Sequence, residues 1–584
     1  MSNALRNSLA LIQGPPGTGK SFTGIKLIQA LLDNREAGKL GPIICVCYTN
    51  HALDQLLESL VDSGVSQVIR VGSRSKSERL AEINLYRISQ MFDLTKMEKQ
   101  KRGKAKGSML QTSGQIAAAL ARHSNVYNNP DEEVLAYLKL HYPHLHGQVS
   151  QEVDEEGWTR VGDANGLSPL QSWICSDSGS DSDRQLEDLQ SGDIVMAQLS
   201  HKERIKLFKS WVQAITSEIY EEMEIQLTAF NEEKEIFDSV RNDVDLRILS
   251  SANVIGITTT GLARNLKHLR KLPSKVLVVE EAGEVLEAHL LTAMLPSLEH
   301  AIFIGDHQQL RPKVQNYDLS VDNPRGQIAL DISLFERLVN PRHGPSSAGL
   351  PFVTLETQRR MHPAISKLVR STLYPNLQDF PSVEGYPAVK GMRRRLFWLD
   401  HDNKEDGKNE HLHSTSQTNT FEVNMVAALV RHLQRQGEYS SQDIAVLTPY
   451  LGQLRKLRAK LASFTDIILN DLDVTDLAKD AEDDSTDLDA GVNRPSVAKG
   501  SLLKALRLAT VDNFQGEEAK VVIISLVRSN DERKCGFLRT SNRINVLLSR
   551  AQHGMYIIGN RATSEHVGMW QDVIQILEEE VSDN

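Results

Sequence analysis

The sequence predicts an α/β protein with two parallel-sheet domains in tandem and a helical insertion within the first. Its 584 residues exceed what one hydrophobic core organises, because single cores stop growing at about 250 to 300 residues. Near-continuous apolar runs, which are typical of strands buried on both faces, recur in two series along the chain. A glycine-rich loop follows the first of these runs and precedes a helical pattern.

Each series of predicted strands alternates with helical sequence. The first series consists of LALIQ, PIICVCYT, NVIGITT, KVLVVEEA and HAIFIGD. The second series begins near residue 352 and consists of FVTLE, RLFWLD, DIAVLTP, LRLATV, KVVIISLV and GMYIIGN. Alternation of strands and helices predicts parallel sheets, whose ligands bind beyond the carboxyl ends of the strands. A cleft between the two domains is therefore the expected place for a ligand.

Residues 84–250 interrupt this pattern. They include the basic stretch EKQKRGKAKG and the tract SDSGSDSD, a composition that predicts a mobile insertion without a core of its own. Order returns near the end of the insertion, where large apolar residues recur every three or four positions and predict an amphipathic helix: Phe208, Trp211, Ile215, Ile219, Met223 and Phe230. The predicted domain bounds are therefore 1–83 and 251–345 for the first domain, 84–250 for the insertion, and 346–584 for the second domain.

The formal net charge of -10 is concentrated in two acidic segments. Residues 151–193 and residues 466–489 each carry a net charge of -9, so removing both leaves +8 for the rest of the chain. A modest positive excess permits a basic groove, because phosphate binding responds to local potential and not to total charge. We expect the second acidic segment to be part of a flexible surface loop, residues 466–490, within the second domain.

Membrane and secreted proteins are excluded as classes by this sequence. The longest apolar runs have the length of strands, whereas a membrane span needs about 20 apolar residues. The amino terminus lacks the pattern of a secretory signal, so we expect an intracellular protein, nuclear in preference to cytoplasmic. The four cysteines are too scattered for a zinc cluster or a disulfide framework, and we expect buried thiols.

The glycine-rich loop has the pattern that binds the phosphates of a nucleotide. It consists of Gly14, Pro15, Pro16, Gly17, Thr18, Gly19, Lys20 and Ser21. In this pattern the backbone amides and the helix amino terminus surround the β-phosphate. The Lys20 ammonium bridges the β and γ oxygens, and the Ser21 hydroxyl ligates Mg²⁺. The sequence therefore predicts binding of ATP with Mg²⁺.

Two consecutive carboxylates, Glu280 and Glu281, end the apolar strand KVLVVEEA. Beside a phosphate loop, such a pair predicts hydrolysis as well as binding. We expect Glu280 to lie on the metal side and Glu281 to orient or deprotonate the attacking water. For this segment alone, the simpler interpretation is a strand followed by solvated acids at a helix start.

Four further segments match an ordered series of motifs: Gly305–Pro312, Gln358–Pro363, Val511–Glu518 and Asn545–Ala551. They resemble motifs III, IV, V and VI of superfamily 1B helicases, and the set is most similar to the up-frameshift branch. Within that branch, Thr49–Gln55 and Leu447–Gln453 resemble the helicase cores linked to X-box-factor-type zinc fingers, a subgroup that includes helicases of RNA-interference heterochromatin assembly. The resemblance covers residues 9–83 and 250–562 and implies two RecA-like lobes.

The resemblance also implies roles for individual residues. Gln309 would sense the γ-phosphate, and Glu518 would hold the ribose. Arg360 and Arg550 would reach the γ-phosphate from the second lobe as arginine fingers, which makes hydrolysis depend on closure of the cleft. Arg359 stands where the family usually has an aromatic residue that stacks on adenine, so stacking here would use a guanidinium.

A group of polar residues would line the path of a single-stranded nucleic acid, binding phosphates and sugars without reading bases. The group consists of Thr49, Asn50, Thr258, Thr259, Thr260, Thr448, Asp512 and Gln515. For any one of them alone, a turn or helix-cap role is the simpler interpretation. The basic run Arg393–Arg395 is either a solvated face or a further part of this path.

These observations favour an ATP-dependent helicase that translocates on single-stranded RNA, 5′ to 3′ as the resemblance implies. Two alternatives remain: an ATP-gated RNA clamp that recruits RNA-silencing or RNA-decay proteins without unwinding, and a DNA helicase. The chain starts thirteen residues before Gly14, without the upstream glutamine motif and accessory domain of the family. We therefore expect either a helicase core cut from a longer protein or an incomplete gene model.

Overall fold

Two parallel sheets form the framework of the larger of two structural units. The computed structural model describes residues 1–73, 75, 77–150, 168–176, 183–185, 189, 195–321, 323, 329–340, 349–407, 416–482 and 505–582. The larger unit combines Met1–Met91 with Leu246–Asn584, and the smaller unit consists of Phe92–Asp245. The two sheets confirm the predicted α/β class.

The first lobe is built on a seven-stranded sheet. Its strands are β1 Leu9–Gln13, β2 Ile43–Cys47, β3 Val68–Val71, β4 Val254–Thr258, β5 Val276–Val279, β6 His300–Gly305 and β7 Val353–Thr354. Their order is β3-β4-β2-β5-β6-β1-β7, and every neighbouring pair is parallel. Strands β2 and β5 are buried along their whole length, as the apolar runs predicted.

The second lobe is built on a six-stranded sheet. Its strands are β10 Leu396–Asp400, β11 Ile444–Thr448, β12 Ile467–Leu469, β13 Leu506–Thr510, β14 Ala519–Ser525 and β15 Ala551–Gly559. They are parallel throughout, in the order β10-β15-β14-β11-β13-β12. A separate pair, β8 Thr357–Gln358 and β9 Gln378–Asp379, precedes this sheet in the chain.

Helices cover the sheets and form the smaller unit. In chain order they are α1 Ser2–Arg6, α2 Lys20–Asp33, α3 Asn50–Asp62, α4 Leu85–Met91, α5 Lys96–Asn128, α6 Pro130–His141, α7 Pro143–Ser150, α8 Pro169–Cys175, α9 His201–Ser251, α10 Thr259–Leu269, α11 Glu287–Ala293, α12 Leu334–Val339, α13 Pro363–Thr372, α14 Thr420–Arg435, α15 Leu451–Leu461, α16 Asp471–Glu482, α17 Ser541–Leu548, α18 Arg561–Ser564 and α19 Gly568–Ser582.

Each lobe has its own hydrophobic core. In the first lobe, Leu27 and Ile28 of α2 and Leu57 of α3 are buried against the sheet strands. In the second lobe, apolar clusters lie on both faces of the sheet, one around Trp570 and the other around Val430. Packing of helices on both faces explains why the strands read as continuous apolar runs and not as alternating ones.

The strand predicted at FVTLE belongs to the first sheet and not to the second. Val353 and Thr354 pair with Ile12 and Gln13 of β1, so this strand forms an edge of the first sheet. Its side chains are only partly buried. Because sequence order does not fix the sheet that an edge strand joins, its position just before the second series was misleading.

The smaller unit has a hydrophobic core, so the expectation that the insertion lacks one is wrong. The core brings together α5, α6 and the first half of α9, with Val134, Leu138 and Trp211 almost fully buried. The predicted amphipathic helix is confirmed, because Ile215 and Ile219 are buried in this core. Most of the SDSGSDSD tract, residues 177–182, lies outside the described residues.

The acidic segment 466–490 is not simply a loop, and that prediction is wrong for its first part. Residues Ile467–Leu469 form β12, which pairs with β13, and α16 follows directly. Asp473 of α16 is fully buried and accepts hydrogen bonds from the Thr510 amide (3.1 Å), the Thr510 hydroxyl (2.6 Å) and the Asn513 amide (2.7 Å). One buried acid with three donors anchors an otherwise acidic helix. The remaining residues, 483–490, lie outside the described part.

Three of the four cysteines are buried thiols, as predicted. Cys45 and Cys47 lie on β2 and Cys535 lies in the second lobe, whereas Cys175 is exposed and departs from the prediction. Burial raises the pKa of the Cys45 thiol, which keeps it protonated and unreactive. Within the described residues, no group of three His, Cys, Asp or Glu side chains could hold a metal ion. None of the helices that the structure describes is long and apolar enough to cross a membrane.

We expect Asp473→Ala to destabilise the second lobe. The substitution leaves buried donors of Thr510 and Asn513 unpaired, at a cost of about 1 to 3 kcal/mol for each group. Urea unfolding should therefore give a clearly lower free energy of unfolding for the variant than for wild type. Asp476→Ala is the matched control on the same helix, because Asp476 forms a surface ion pair with the exposed Lys313 (3.3 Å), worth about 0 to 1 kcal/mol. Equal losses in the two variants would contradict the assigned role of Asp473.

Candidate active site

The phosphate loop lies where the sequence predicted it, between β1 and α2. The Gly14 amide donates to the carbonyl of Gly305 at the end of β6 (2.9 Å), which ties the loop to the neighbouring strand. The Lys20 side chain folds back over the loop, and its Nζ donates to the Gly14 carbonyl (3.2 Å). A Cβ at Gly14 would lie 2.1 Å from Cγ of Lys20, so only glycine leaves room for the lysine.

The second lobe contacts this loop at Gly17. Gly17 has φ +76°, a conformation that favours glycine, and its carbonyl accepts a hydrogen bond from the Arg359 amide (2.8 Å). A Cβ at Gly17 would lie 2.7 Å from Cβ of Arg360. The loop and the Arg359–Arg360 segment are therefore in direct contact across the cleft between the lobes.

Two carboxylates from the end of β5 face the first turn of α2. Lys20 Nζ lies 3.4 Å from Glu281 Oε1, and Ser21 Oγ lies 3.4 Å from Glu280 Oε2. Glu281 has φ +50°, an unusual backbone conformation for a residue other than glycine. Such conformations cost free energy and concentrate at functional sites. The two residues contact different side chains, Glu281 the Lys20 ammonium and Glu280 the Ser21 hydroxyl.

The Glu280 carboxylate is buried and incompletely paired. Burial, and then the charge of Glu281, raise the pKa of Glu280 to about 7. Its Oε1 atom has no hydrogen-bond partner among the described residues. A hard divalent cation prefers oxygen ligands of this kind, so the Ser21 hydroxyl and the Glu280 carboxylate fit the requirements for holding Mg²⁺.

A third carboxylate, that of Glu284, lies close to this pair. Burial, together with the charge of Glu281, raises the pKa of Glu284 well above its ordinary value, and its Oε1 has no hydrogen-bond partner in the described part of the chain. Sequence reasoning assigned no role to Glu284. It follows Glu281 by one short turn, Ala282–Glu284, and only that turn returns it to the site.

Asp306 is the hub of the contact between the lobes. Its buried carboxylate accepts hydrogen bonds from Gln13 Nε2 (3.2 Å), the Gln308 amide (3.1 Å) and Gln309 Nε2 (2.8 Å) within the first lobe. It also accepts one from the Tyr374 hydroxyl of the second lobe (2.6 Å). Asp306 is 1% exposed, so all four donors act where water does not compete.

Helix α17 extends the contact along the Gly305–Pro312 motif. Asn545 Nδ2 donates to the Tyr374 hydroxyl (2.7 Å) and to the Gln308 carbonyl (2.8 Å). Asn542 Nδ2 donates to the carbonyls of His307 (3.0 Å) and Gln309. Asn542 and Asn545 of α17 therefore donate to three consecutive backbone carbonyls in one loop of the first lobe.

Arg550 lies at the same contact and is almost fully buried. Its guanidinium donates to the Val546 carbonyl (2.9 Å), the Glu517 carbonyl (3.2 Å) and, across the cleft, to Gln309 Oε1 (3.4 Å). Burial, and then the charge of Arg360, lower the pKa of Arg550 to about 9, so the group stays charged at neutral pH. It is directed into the contact between the lobes and not into solvent.

Arg360 and Glu518 form an ion pair beside the phosphate loop. Arg360 also donates to the Ser549 carbonyl (3.2 Å), and Gln552 Nε2 donates to Glu518 Oε1 (2.7 Å). Although burial opposes it, the charge of Arg360 and these hydrogen bonds hold the pKa of Glu518 below its ordinary value. Both side chains are thus engaged with each other in this arrangement.

Arg359 has an aromatic partner that sequence reasoning did not identify. Its guanidinium lies over the ring of Phe380, 4.2 Å from the ring centroid, and Arg359 itself is exposed. Phe380 follows β9 directly and is 37% exposed. The guanidinium proposed to stack on a base is therefore itself supported by a ring.

The predicted nucleic-acid residues lie at or beyond the carboxyl ends of parallel strands, and several have local partners. Thr49 and Thr258 cap α3 and α10. Asn50 accepts from Arg70 (3.0 Å), Asp512 pairs with Arg543 (3.0 Å), and Gln515 accepts from the Leu310 amide (3.3 Å).

The remaining predicted residues have freer hydroxyls. Thr259 and Thr448 are buried, and neither hydroxyl has a partner among the described residues. Thr260 is exposed. Thr49, Asn50 and Thr258 to Thr260 lie at the carboxyl edge of the first sheet, as the phosphate loop does, and Thr448 and Asp512 lie at the carboxyl edge of the second sheet.

Three residues of the hub were missed by sequence reasoning: Asp306, Tyr374 and Asn545. Asp306 and Asn545 lie inside the Gly305–Pro312 and Asn545–Ala551 motifs, so the motif match was a sequence signal that could have identified them. Tyr374 follows α13 in an ordinary stretch, STLYPN, and nothing in its local sequence marks it. Its importance arises only from the fold, which places its hydroxyl between Asp306 and Asn545.

Comparison with known protein families agrees with this geometry. A family model described as "AAA domain" matches residues 1–316, which is more than half of the chain, and a second model with the same description matches residues 330–562. The chain belongs to the AAA domain family. The two matched regions correspond to the two halves of the motif series, one before and one after residue 330.

Curated relatives of this AAA domain protein cover nearly the whole chain. It is 29% identical over 699 residues to NFX1-type zinc finger-containing protein 1 of Homo sapiens, covering 99% of the chain and 34% of that protein. It is 29% identical over 652 residues to Helicase required for RNAi-mediated heterochromatin assembly 1 of Schizosaccharomyces pombe, covering 98% and 58%. It is 23% identical over 582 residues to Regulator of nonsense transcripts 1 homolog of Arabidopsis thaliana, covering 98% and 33%.

These matches confirm the predicted up-frameshift-like helicase family, including its similarity to zinc-finger and heterochromatin helicases. The chain spans between about a third and three fifths of the length of these relatives.

We expect Glu280→Gln to stabilise the AAA domain protein at high pH when nucleotide and divalent metal are absent. A folded-state pKa of about 7, above the ordinary value of 4.5, means that the folded state binds more protons than the unfolded state. The wild-type protein therefore loses folding stability as pH rises from about 4.5 to 7. Each pKa unit between the folded and unfolded states corresponds to about 1.4 kcal/mol. The stability gain of Glu280→Gln over wild type should therefore reach about 3 kcal/mol at about pH 8 and shrink at about pH 5.

Thermal unfolding of both proteins at the two pH values measures this difference. Glu299→Gln is the control, because Glu299 is exposed and pairs with Lys275 at the surface. A stability gain that does not change with pH would contradict the assigned cause.

Proposed function

We propose that the chain is an ATP-dependent helicase that hydrolyses ATP in the cleft between its lobes and translocates on single-stranded RNA. The observation that carries this proposal is the contact of both lobes with one phosphate loop. Lys20 and Glu281 of the first lobe approach each other to 3.4 Å, and the Arg359 amide of the second lobe reaches the Gly17 carbonyl. A hydrolytic site assembled from two lobes couples chemistry to movement.

The first lobe supplies binding and the attacking water. Lys20 contacts the β- and γ-phosphates in place of its present contacts with Gly14 and Glu281. Ser21 and Glu280 would hold Mg²⁺, which would neutralise phosphate charge. Glu281 orients the water and accepts its proton, because its carboxylate lies beside Lys20 and thus beside the γ-phosphate.

The second lobe supplies positive charge for the transition state. Arg550 already contacts Gln309, the proposed γ-phosphate sensor, and Arg360 lies against Gly17 of the loop. A small closing movement brings both guanidinium groups to the transferred phosphoryl group. Arg359, backed by Phe380, stacks on the base, and Glu518 binds the ribose when ATP draws Arg360 away.

Single-stranded nucleic acid follows the row of polar residues at the carboxyl edge of the two sheets. The exposed Thr260 can bind phosphate or sugar oxygens directly, whereas the buried hydroxyls of Thr259 and Thr448, which have no partner among the described residues, need a local movement to reach them. RNA is proposed over DNA because the fission-yeast relative is named for RNAi and the plant relative for nonsense transcripts. The family resemblance supports 5′ to 3′ movement, a nuclear place of work, and partners from RNA silencing or RNA decay.

ATP turnover by the purified chain tests this function, with matched single-stranded RNA or DNA and with neither. Stimulation by RNA above DNA supports the proposal, and Lys20→Ala should abolish turnover in all three conditions. Glu281→Gln should bind ATP and RNA without turnover. Displacement of an RNA duplex in a single turnover separates the helicase from the clamp alternative. Stimulation by DNA alone would favour the DNA helicase.

We expect Arg550→Ala to abolish turnover with little effect on ATP binding, which the first lobe mainly supplies. Charge at this position is worth roughly 10³ to 10⁵ in rate in related phosphoryl-transfer enzymes. Arg550→Lys should rescue poorly, because an ammonium lacks the planar fork that donates to Val546, Glu517 and Gln309. Arg561→Ala, which removes an arginine from the surface, is the control. Steady-state turnover near wild type in Arg550→Ala would refute the assignment.

We expect Tyr374→Phe to slow RNA-stimulated turnover by roughly tenfold or more while leaving the ATP affinity of the first lobe nearly unchanged. Loss of a buried hydrogen bond to a carboxylate costs about 1.5 to 3 kcal/mol, and here that bond joins the lobes. Tyr439→Phe is the matched control, because its hydroxyl contacts His553 inside one lobe. If both variants slow turnover equally, the contact of Tyr374 with Asp306 is not what couples the lobes.

A further inference from the structure

Strand β10 forms an edge of the second sheet and exposes an apolar face. Phe397 and Leu399 are two residues apart, so both side chains lie on the same face of the strand. Phe397 is 43% exposed, which is unusual for a phenylalanine on a sheet of this kind. The opposite face is occupied, because the Trp398 ring packs edge-on against Trp570 of α19.

Helix α14 completes an apolar groove beside this strand. Its half-buried Met425 and Leu429 face Phe397 and Leu399 across a cavity of about 280 Å³, which Met392 and Tyr556 also line. Sites for whole drug-sized ligands measure about 300 to 1,000 Å³. This cavity therefore suits one or two bulky side chains of a larger partner, which leaves most of that partner outside.

A basic rim adjoins the amino end of the groove. Its members are Lys390, Arg393, Arg394 and Arg435, and no acidic residue occurs between 390 and 395. None of these four makes an ion pair with any residue that the structure describes. The rim is tied to the groove, because the Tyr556 hydroxyl donates to the Arg394 carbonyl (3.1 Å) and His432 Nε2 lies 3.0 Å from the Gly391 carbonyl.

Arg395 differs from its two neighbours. Its guanidinium donates to the carbonyls of Pro387 and Tyr386, both at 2.5 Å, so it supports the loop before β10. Only Arg393 and Arg394 of the predicted basic run are available to a partner. In this run Arg395 has a structural role, whereas Arg393 and Arg394 have no ion-pair partner among the described residues.

The position of the rim separates it from the proposed nucleic-acid path. All strands of the second sheet are parallel, and Thr448 and Asp512 lie at or after the carboxyl ends of β11 and β13. Arg393 and Arg394 precede the amino end of β10, at the opposite edge of the sheet. A cavity lined by methionine, leucine and phenylalanine also lacks the polar groups that hold a phosphate backbone.

We propose that the groove between β10 and α14 binds an acidic peptide segment of a partner protein. A bulky apolar side chain of the peptide enters the cavity between Phe397 and Met425, and its carboxylates pair with Arg393 and Arg394. The apolar anchor provides most of the affinity, because buried anchors dominate such interfaces. The unpaired basic rim provides selection for acidic sequences and speeds association at low salt.

Selection from a library of random linear peptides tests this proposal. The full chain serves as bait, and the Phe397→Asp variant removes peptides that bind elsewhere. We expect the enriched peptides to combine acidic residues with leucine, methionine or an aromatic residue. With methyl-labelled methionine, the best synthetic peptide should shift the Met392 and Met425 signals. Enriched peptides without acidic residues, or an unenriched library, would refute the proposal.

Charge reversal provides a second test that leaves the cavity intact. Arg393→Glu with Arg394→Glu should weaken binding of the selected peptide by at least roughly tenfold at low salt. Added salt should reduce the difference in affinity between this double variant and wild type. Arg458→Glu with Lys460→Glu, on the exposed face of α15, is the matched control and should leave binding unchanged. ATP turnover should stay at the wild-type level in both double variants.

Two alternative occupants would overturn the proposal. Shifts of Met392 and Met425 on addition of a single-stranded RNA oligonucleotide would assign the groove to nucleic acid. The same shifts on raising the protein concentration, without peptide, would assign it to a second copy of the chain. Absence of both, together with peptide binding that Phe397→Asp abolishes, supports a protein partner.

Discussion

The contact between the lobes depends on one buried carboxylate, that of Asp306. A charge this deep in a protein is costly unless hydrogen bonds compensate it, and here four donors converge on two oxygens. Three of the donors belong to the first lobe, and the fourth, the Tyr374 hydroxyl, belongs to the second. Separation of the lobes would leave Asp306 short of a donor, so contact between the lobes is favoured before any ligand binds.

The chemical site shows the opposite balance, because its charges are poorly compensated. Glu280, Glu281 and Glu284 cluster within one turn of chain, and burial raises the pKa of both Glu280 and Glu284. The Lys20 ammonium lies 3.4 Å from Glu281. A bound cation relieves this repulsion, and phosphates draw Lys20 away from Glu281. The polar groups at the contact between the lobes thus have their hydrogen-bond partners without ligand. The carboxylate cluster gains compensating charge when ligand binds.

The second lobe presents different surfaces at different parts of its sheet. Thr448 and Asp512, which are proposed to contact nucleic acid, lie at or after the carboxyl ends of β11 and β13. An apolar groove lies along the edge strand β10, and its basic rim precedes the amino end of that strand. Glu518 and Arg550 directly precede β14 and β15, so the residues of this lobe that serve the chemistry lie at the amino ends of the strands, away from the carboxyl ends that carry Thr448 and Asp512.

The sequence by itself determined the α/β class, most of the strands, the phosphate loop and the Glu280–Glu281 pair, because these depend on local pattern. It placed FVTLE in the wrong sheet and took β12 and α16 for a loop, because an edge strand and a helix anchored by the single buried Asp473 carry little local signal. Tyr374 and the pairing of Arg359 with Phe380 were decided by tertiary structure alone. Such contacts join residues far apart in the chain, and only folding brings a hydroxyl to a distant buried carboxylate.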